Sequence, residues 1–155
     1  MTSNTPNHHV RPATREDAPT LAAFNQHMAR ETENRELDDT LILDGVTGGL
    51  ARPDRCRYFV AEVGGKIAGQ AMITFEWSDW RNGELWWLQS VYVLPQFRRQ
   101  GIFTALYRHI EQLGRQNPDV RGLRLYVEEE NRSGQEVYSR LGMVHAGYHV
   151  YEQEF

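Results

Sequence analysis

Two arginines and a glycine separate an apolar segment from a helical one, in an arrangement that suits a negatively charged ligand. Arg98 and Arg99 follow an apolar run closed by Pro95, and Gly101 precedes apolar residues at helical spacing. Arginines donate charge-assisted hydrogen bonds to phosphate, and the first turn of a helix offers unpaired N–H groups at its positive end. Two interpretations stay open from this local chemistry: a phosphate-binding turn, or an ordinary strand-to-helix turn with solvated arginines.

Other kinds of site find little support in the sequence. The turn lacks the Gly-Lys-Ser/Thr ending of a P-loop and the three spaced glycines of a dinucleotide-binding loop. No Gly-x-Ser-x-Gly motif of a serine hydrolase occurs. His145 and His149 would share one face of a strand, but roughly 13 Å apart, which is too far to bind one metal ion. The single cysteine, Cys56, is predicted to be a small buried hydrophobic residue.

Hydrophobic periodicity predicts the elements that hold this turn in place. The predicted helices cover residues 14–29, 39–50, 102 to just before Pro118, and 133–141. The predicted strands start at Val10, form a hairpin over 58–63 and 67–75 around Gly64-Gly65, and continue with 85–93, 123–127 and a final strand or hairpin over 144–155. The order β-α-α-β-β-β-α-β-α-β predicts an α/β fold.

The composition predicts one folded domain and argues against two classes of partner. The chain has 155 residues, of which 40% are hydrophobic, so we expect a flexible tail over residues 1–9 and a single domain over 10–155. A net charge of -4 argues against non-specific nucleic-acid binding. The first thirty residues hold no apolar run, which together with the single cysteine predicts a cytoplasmic protein without a membrane span.

Two motifs at the expected separation resemble those of the GNAT superfamily of N-acetyltransferases. That family ends a strand with Val-x-Pro, continues with Arg/Gln-x-x-Gly-x-Gly/Ala, and carries Asn-x-x-Ala-x-x-x-Tyr before Leu-Gly-Phe further on. The matching residues here are Val93-Leu94-Pro95, Arg98-Arg99-Gln100-Gly101-Ile102-Phe103, and Asn131, Gly134 and Tyr138 before Leu141-Gly142-Met143. The chain departs from the pattern at Phe103, which replaces a small residue near the expected phosphates, and at Gly134 and Met143.

The resemblance implies a fold and a co-substrate. The expected fold is that of GNAT-like acyl-CoA N-acyltransferases, with a mixed central sheet of six to seven strands flanked by about four helices. The expected co-substrate is acetyl-CoA, with no metal. The residues implied in binding it are Val91, Tyr92, Val93, Arg98, Arg99, Gln100, Gly101, Ile102, Phe103, Thr104, Asn131 and Tyr138.

The resemblance also implies an N-acetyltransferase in which a primary amine attacks the thioester directly. Tyr138 occupies the position at which the family places the acid for the leaving thiolate, and a phenol with a pKa of about 10 stays protonated at neutral pH. The base is less well defined. Many relatives have an acid in the middle of the fourth strand, where this chain has none. Glu84 is our predicted base through a water chain, with Glu76 and Glu128 as alternatives.

An acceptor site is predicted from aromatic and acidic residues. Trp86 and Trp87 must face opposite sides of a strand, so one belongs to the core and the other can line a pocket. Residues 31–54 carry seven acids against two arginines, which favours a cationic amine or, alternatively, simply caps helices. The predicted acceptor-binding residues are Glu33, Trp77, Asp79 and Trp87.

Two other functions remain alternatives at this point. The first is a non-catalytic regulatory module that binds acyl-CoA, motivated by Phe103 and by the absence of an acid in the middle of the fourth strand. The second is a nucleic-acid or protein interaction domain, which would gain little stability from acetyl-CoA. A homodimer is a further expectation from the resemblance.

Overall fold

Five β-strands form one mixed sheet in the order in which they follow along the chain. The computed structural model describes residues 7–155, and two compact units divide at Leu125 and Tyr126. The first unit contains the sheet and three of the four α-helices, and the second contains the fourth helix. The elements are β1 His8–Pro12, α1 Ala18–Glu33, α2 Asp39–Leu50, β2 Cys56–Val63, β3 Lys66–Ser78, β4 Gly83–Val93, α3 Ile102–Gln116, β5 Val120–Arg124 and α4 Arg132–Arg140.

The strand directions follow from the connections between the strands. β1 to β4 pair antiparallel, and the predicted β2–β3 hairpin is confirmed, with Gly64 and Gly65 at φ 57° and 78° in its turn. β5 pairs parallel with β4, because α3 carries the chain back along the sheet between them. β4 is therefore a central strand with neighbours on both sides.

The alternation of side chains along the strands builds one core on each face of the sheet. On the first face, Tyr58 and Val60 pack in a cluster with α1 and α2 residues such as Leu21 and Val46. On the second face, the Phe59 ring lies 5.5 Å from that of His109 on α3. Cys56 is buried in the first core, as predicted, and burial raises the pKa of its thiol. β2 therefore contributes alternate side chains to a core on each face of the sheet.

Three predictions about the elements need correction. The sheet has five strands rather than six to seven, and no strand occurs over the predicted range 144–155 within the described part of the chain. A period-2 pattern indicates which face a strand would bury, but a strand also requires a hydrogen-bonding partner. β5 lies at Val120–Arg124 rather than 123–127, because its parallel register with β4 starts opposite Glu84. Residues 1–6 of the predicted tail lie outside the described residues, whereas His8 and His9 belong to β1.

The first helix differs from its prediction at both ends. A 3₁₀ turn over Arg15–Asp17 precedes α1, and the helix continues beyond residue 29 to Glu33, where Asn34 ends it in a left-handed conformation at φ 49°. Asp17 stabilises the start, since its carboxylate accepts a hydrogen bond of 2.7 Å from the Thr14 backbone N–H. The same carboxylate pairs with Arg11 on β1 at 2.8 Å. The strand and the helix are thereby joined through one acid.

We expect Asp17→Asn to lower the free energy of unfolding by about 1–3 kcal/mol at pH 7, because it leaves Arg11 without this partly buried partner. The hydrogen bond from Arg11 lowers the pKa of Asp17 below its ordinary value of 3.8, although burial opposes this. The stabilisation is therefore complete above that ordinary value and is lost as the pH falls through the lower, folded-state pKa. Urea denaturation at several pH values measures it. As the control, Asp54→Asn removes an exposed pair with Arg55 at 4.0 Å and should change stability little. Equal losses for both variants would contradict the expectation.

Candidate active site

β4 carries a bulge two residues before the end of the strand. The register with β3 pairs Gln70 with Tyr92 and Met72 with Gln89, so that Ser90 and Val91 lie opposite the single residue Ala71. Ser90 adopts φ 50°, a left-handed conformation that is uncommon for a residue with a side chain. Such bulges often lie next to active sites, where they redirect backbone groups. This bulge was not predictable from the sequence, because serine carries no signal for a left-handed conformation.

Arg98, predicted to bind phosphate, ties the end of β4 to α1. Its Nη2 donates to Glu31 Oε2 at 2.6 Å, and its Nε donates to the Val93 carbonyl oxygen at 2.9 Å. The Tyr92 hydroxyl donates to the other carboxylate oxygen of Glu31 at 2.9 Å. Burial alone would raise the pKa of Glu31, but the hydrogen bonds from Arg98 and Tyr92 outweigh it and the pKa is lowered. The guanidinium of Arg98 is therefore already engaged by protein atoms.

The turn after Arg98 presents backbone N–H groups at the start of α3. Arg99 and Gly101 adopt φ 61° and 79°, and the first helical hydrogen bond runs from Ala105 N–H to the Gly101 carbonyl oxygen. Ile102, Phe103 and Thr104 form the first turn of α3, whose backbone N–H groups point toward the N-terminal end of the helix. The turn therefore combines the positive end of a helix with an exposed arginine, Arg99, which are the features that the predicted phosphate site requires.

Phe103 packs along α3. Its ring centroid lies 6.2 Å from that of Tyr107, one turn further along the helix. Phe103, where the family pattern has a small residue, therefore forms an aromatic pair with Tyr107 on the side of the helix.

We expect Phe103→Ala to change the dissociation constant of acetyl-CoA by less than about threefold, which is below 1 kcal/mol. Isothermal titration calorimetry measures it, and a tenfold change in either direction would show that the Phe103 side chain controls access to the turn.

Glu84, the predicted base, lies on the α3 face of the sheet. It shares this face with Trp86, whose indole Nε1 donates to Glu84 Oε2 at 3.3 Å. Trp86 is buried beside Gly114 of α3, which confirms that one of the adjacent tryptophans belongs to the core. Six residues separate Glu84 from Ser90, which corresponds to roughly 20 Å along a strand. A proton path from the bulge to Glu84 would therefore need a chain of several waters.

Trp87 lies on the opposite face of β4 and joins a polar cluster. Its indole Nε1 donates to Glu76 Oε2 at 2.9 Å, and Arg124 of β5 pairs with the same carboxylate oxygen at 3.0 Å. The Arg124 guanidinium lies 5.9 Å from the centroid of the Trp87 ring. Glu76, an alternative base, already accepts hydrogen bonds from two side chains in this cluster. Trp87 is half-buried, as a residue lining a pocket would be.

The other predicted acceptor residues lie on separate elements. Trp77 is the penultimate residue of β3, with 63% of its surface exposed. Asp79 begins the 3₁₀ turn after the strand, where its carboxylate accepts a hydrogen bond from the Trp80 N–H at 2.9 Å. Trp80 is 86% exposed. Glu33 is the last residue of α1 and is exposed. The structure places the tryptophan and aspartate together at the β3–β4 turn, and Glu33 at a helix end.

Most of the acidic residues in 31–54 have structural partners. Glu36 pairs with Arg30 at 2.7 Å, and Asp38 caps the N-terminus of α2. Asp39 accepts a hydrogen bond of 2.6 Å from the buried amide of Gln26. Helix capping and local ion pairs thus account for much of the negative charge in residues 31–54. The alternative interpretation of this charge was attraction of a cationic acceptor.

The second unit contains the other motif residues. Asn131 caps α4, and its Oδ1 accepts a hydrogen bond of 2.9 Å from Gly134 N–H. A Cβ atom at position 134 would lie 2.8 Å from the Asn131 side chain, so glycine lets this asparagine lie close to the backbone that it caps. Tyr138 lies on the last full turn of α4, and burial raises the pKa of its hydroxyl above the ordinary value of 10.0. Glu128, the third candidate base, precedes Asn131 and is exposed.

No group of three or more histidine, cysteine, aspartate or glutamate side chains within residues 7–155 is arranged to hold a metal ion. No helix in the same range is both long enough and apolar enough to cross a membrane.

Known proteins resemble this chain in sequence and in structure. The model of the acetyltransferase (GNAT) family matches residues 15–143. A "possible acetyltransferase" from Clostridium difficile 630 is 40% identical, with a TM-score of 0.89 over 96% of this chain and 97% of that one. A "predicted acetyltransferase with acetyl-CoA" from Clostridium acetobutylicum shares the fold at 18% identity, with a TM-score of 0.77 over 95% and 96% of the two chains.

A curated relative matches over a shorter range. Thialysine N-epsilon-acetyltransferase from Caenorhabditis elegans is 29% identical over 86 residues, which are 56% of this chain and 52% of that protein. The match therefore spans about half the length of the curated relative. The family model, in contrast, covers most of the chain and includes both the turn before α3 and the helix with Tyr138. This chain belongs to the acetyltransferase (GNAT) family.

Proposed function

We propose that this protein transfers the acetyl group of acetyl-CoA to a primary amine by direct attack of the amine on the thioester. The observation that carries the proposal is the combination on β4 and α3: a bulge at Ser90 and Val91, followed by a left-handed turn that opens a helix N-terminus. This places redirected backbone groups and an anion-binding helix end on one continuous stretch of chain.

The N-terminal end of α3 would hold the pyrophosphate of acetyl-CoA. Its donors are the N–H groups of Ile102, Phe103 and Thr104, with the positive end of the helix and the Arg99 guanidinium adding charge. Gln100 is a further proposed contact, although its side-chain amide donates to the Gln96 carbonyl oxygen at 3.0 Å. Because Arg98 already pairs with Glu31, we propose that Arg98 acts mainly by holding β4 against α1.

The pantetheine arm would run along the backbone of Val91, Tyr92 and Val93. The bulge at Ser90 and Val91 interrupts the regular pairing of β4 with β3, so the redirected Val91 N–H is suited to donate to the carbonyl oxygen of the acetyl group. That oxygen gains negative charge as the amine attacks, and a preorganised donor lowers the barrier. Asn131 would contribute by capping the helix that carries Tyr138.

An ammonium acceptor loses two protons from nitrogen, one before attack and one as the carbon–sulfur bond breaks, and the leaving thiolate gains one. The second nitrogen proton returns through solvent to the acid that protonated the thiolate. The amine nitrogen forms a bond to the acetyl carbon, the carbon–sulfur bond breaks, and the thiolate of coenzyme A leaves. We propose that the Tyr138 hydroxyl protonates this thiolate, supported by a raised pKa that keeps the phenol neutral. The ammonium proton must leave before attack, and Glu84 stays our proposed base through a chain of waters.

The acceptor is proposed to be a small-molecule or peptide amine with Trp87, Trp77, Asp79 and Glu33 as binding residues. Because Trp77 pairs with Glu84, roughly 20 Å along β4 from the bulge, the β3–β4 turn would bind a remote part of an extended acceptor and not its reacting amine. Support comes from the exposed aromatic surface at the β3–β4 turn and from the name of the curated relative, which acetylates an amine. The acidic residues near α2 already have structural partners. Binding of a positively charged acceptor would therefore depend mainly on the aromatic side chains and on Asp79.

Release of coenzyme A thiol in the presence of a panel of amines tests the proposal. The panel should include thialysine, lysine, polyamines, aminoglycosides and peptides with free amino groups, each measured against hydrolysis without an amine. We expect amine-dependent thiol release for at least one class. The alternative, a non-catalytic acyl-CoA-binding module, is favoured by the lack of an acid in the middle of β4, and it predicts tight binding of acetyl-CoA without release for any amine.

A further inference from the structure

Gln70 is a fully buried amide in the middle of β3 whose two polar atoms differ in their contacts. Its Nε2 donates to the carbonyl oxygen of Ser90 at 2.9 Å, whereas its Oε1 has no partner among the described residues. Burying an amide oxygen without a partner costs about 1–3 kcal/mol. A methionine or leucine would fill the same space without that cost, but it would leave the Ser90 carbonyl oxygen without this donor. The one hydrogen bond that the Gln70 side chain makes is therefore the contact that distinguishes the amide from an apolar residue at this position.

The carbonyl oxygen that Gln70 holds belongs to the bulge. The peptide between Ser90 and Val91 is planar, so its C=O and N–H groups point in opposite directions. With the oxygen held by Gln70 Nε2, the Val91 N–H must point away from the Gln70 side chain. The left-handed conformation of Ser90 is also unfavourable by about 1–2 kcal/mol, and the hydrogen bond from Gln70 offsets part of this. Gln70 thus sets the direction of the Val91 N–H.

We propose that Gln70 is a positioning residue for the acetyl transfer: it holds the Ser90–Val91 peptide so that the Val91 N–H donates to the carbonyl oxygen of the bound acetyl group. This rests on the proposed function, in which the Val91 N–H stabilises the developing oxyanion. Gln70 itself touches neither the co-substrate nor the amine. Without its Nε2, the bulge peptide can rotate and the donor is lost, even though the strand and the cofactor turn remain in place.

The test compares Gln70→Met with wild type by kinetics and by infrared spectroscopy. The probe is a ketone analogue of acetyl-CoA in which a methylene group replaces the sulfur, so that the carbonyl is bound without reacting. We expect Gln70→Met to lower kcat about 10- to 100-fold, with the KM for acetyl-CoA changed by less than about threefold. The carbonyl stretch of the bound analogue should move to higher frequency, because its hydrogen bond to the Val91 N–H is lost.

Gln26→Met is the matched control. Gln26 is also a buried glutamine, but its amide donates to the Leu37 carbonyl oxygen at 2.7 Å and accepts from the Leu37 N–H at 3.1 Å, which is a structural role. We expect this variant to lower the melting temperature and to leave the carbonyl stretch of the analogue unchanged. A frequency shift in the Gln26 variant equal to that in the Gln70 variant would overturn the positioning role, because general loosening of the fold would then explain both.

The outcomes separate this inference from the proposed function. If wild type binds neither acetyl-CoA nor the ketone analogue, the proposed function is wrong and the inference with it. If Gln70→Met binds the analogue with an unchanged carbonyl frequency and an unchanged kcat, the inference alone is wrong. If Gln70→Met does not fold, the NMR signal of the Val91 amide proton in wild type tests the inference instead. This signal should shift with the ketone analogue and not with coenzyme A, and equal shifts with both would overturn the inference.

Discussion

Tyr138→Phe should lower kcat about 100-fold or more while changing the dissociation constant of acetyl-CoA by less than about threefold. The variant removes one hydroxyl, and in the proposed reaction that hydroxyl supplies the proton for the thiolate of coenzyme A. Burial raises the pKa of Tyr138 above its ordinary value of 10.0, so the acid form persists through neutral and moderately basic pH. The pH at which deprotonation of this acid has removed half of the wild-type activity should therefore lie above that value.

The leaving group offers a direct check on this role. A thiol with a lower pKa leaves without help, so Tyr138→Phe should lose less activity with an acetyl thioester of an electron-poor thiol than with acetyl-CoA. Tyr151→Phe is the control, because Tyr151 lies in the same unit with 92% of its surface exposed. Stopped-flow measurement of thiol release with saturating amine separates the chemical step from product release. A Tyr138→Phe enzyme with unchanged kcat would remove Tyr138 as the acid.

Gly101→Ala should raise the dissociation constant of acetyl-CoA about tenfold or more, equivalent to about 1.4 kcal/mol. Gly101 adopts φ 79°, and this left-handed conformation is unfavourable by about 1–2 kcal/mol for a residue with a side chain. The nearest atom to an added Cβ is His8 Cε1 at 3.7 Å, so the methyl group itself fits. Either the turn shifts and moves the N–H groups of α3, or the methyl group occupies space in front of them. Both consequences weaken the binding of a phosphate.

Gly64→Ala separates the backbone cost from the effect on binding. Gly64 also has a positive φ, 57°, and an added Cβ would meet nothing within 4 Å, but it lies in the β2–β3 turn. Both alanine variants should therefore lose similar free energy of unfolding, and only Gly101→Ala should lose affinity for acetyl-CoA. Titration calorimetry together with urea denaturation measures both quantities. Equal affinities in the two variants would contradict the role of this turn in binding.

The fold was predictable from the sequence wherever local pattern and long-range pairing agree. The β2–β3 hairpin and the opposite faces of Trp86 and Trp87 follow from turn chemistry and from the period of two in a strand. The helix predicted over 39–50 has those bounds, because Asp38 caps it and the pattern ends with it. The region 144–155 has an alternating pattern but no strand, since pairing is not encoded in one segment alone.

The candidate site was predictable in its motifs and not in its contacts. The turn from Arg98 to Gly101 was identified correctly as the start of a helix, because proline, glycine and helical periodicity mark it locally. The pairing of Arg98 with Glu31 was not predictable, since 67 positions separate the two residues. The bulge at Ser90 depends on how β3 and β4 align, and it is this alignment that brings Gln70 to the Ser90 carbonyl.

Mass spectrometry of the acceptor tests the central claim, acetyl transfer to an amine, most directly. The protein is incubated with acetyl-CoA labelled with carbon-13 in the acetyl group and with the amine that releases the most thiol. The account predicts one labelled acetyl group on the amine nitrogen, formed in equal amount to the thiol and at least about 100-fold more slowly with Tyr138→Phe. Thiol release with labelled acetate as the product and an unmodified amine would contradict it.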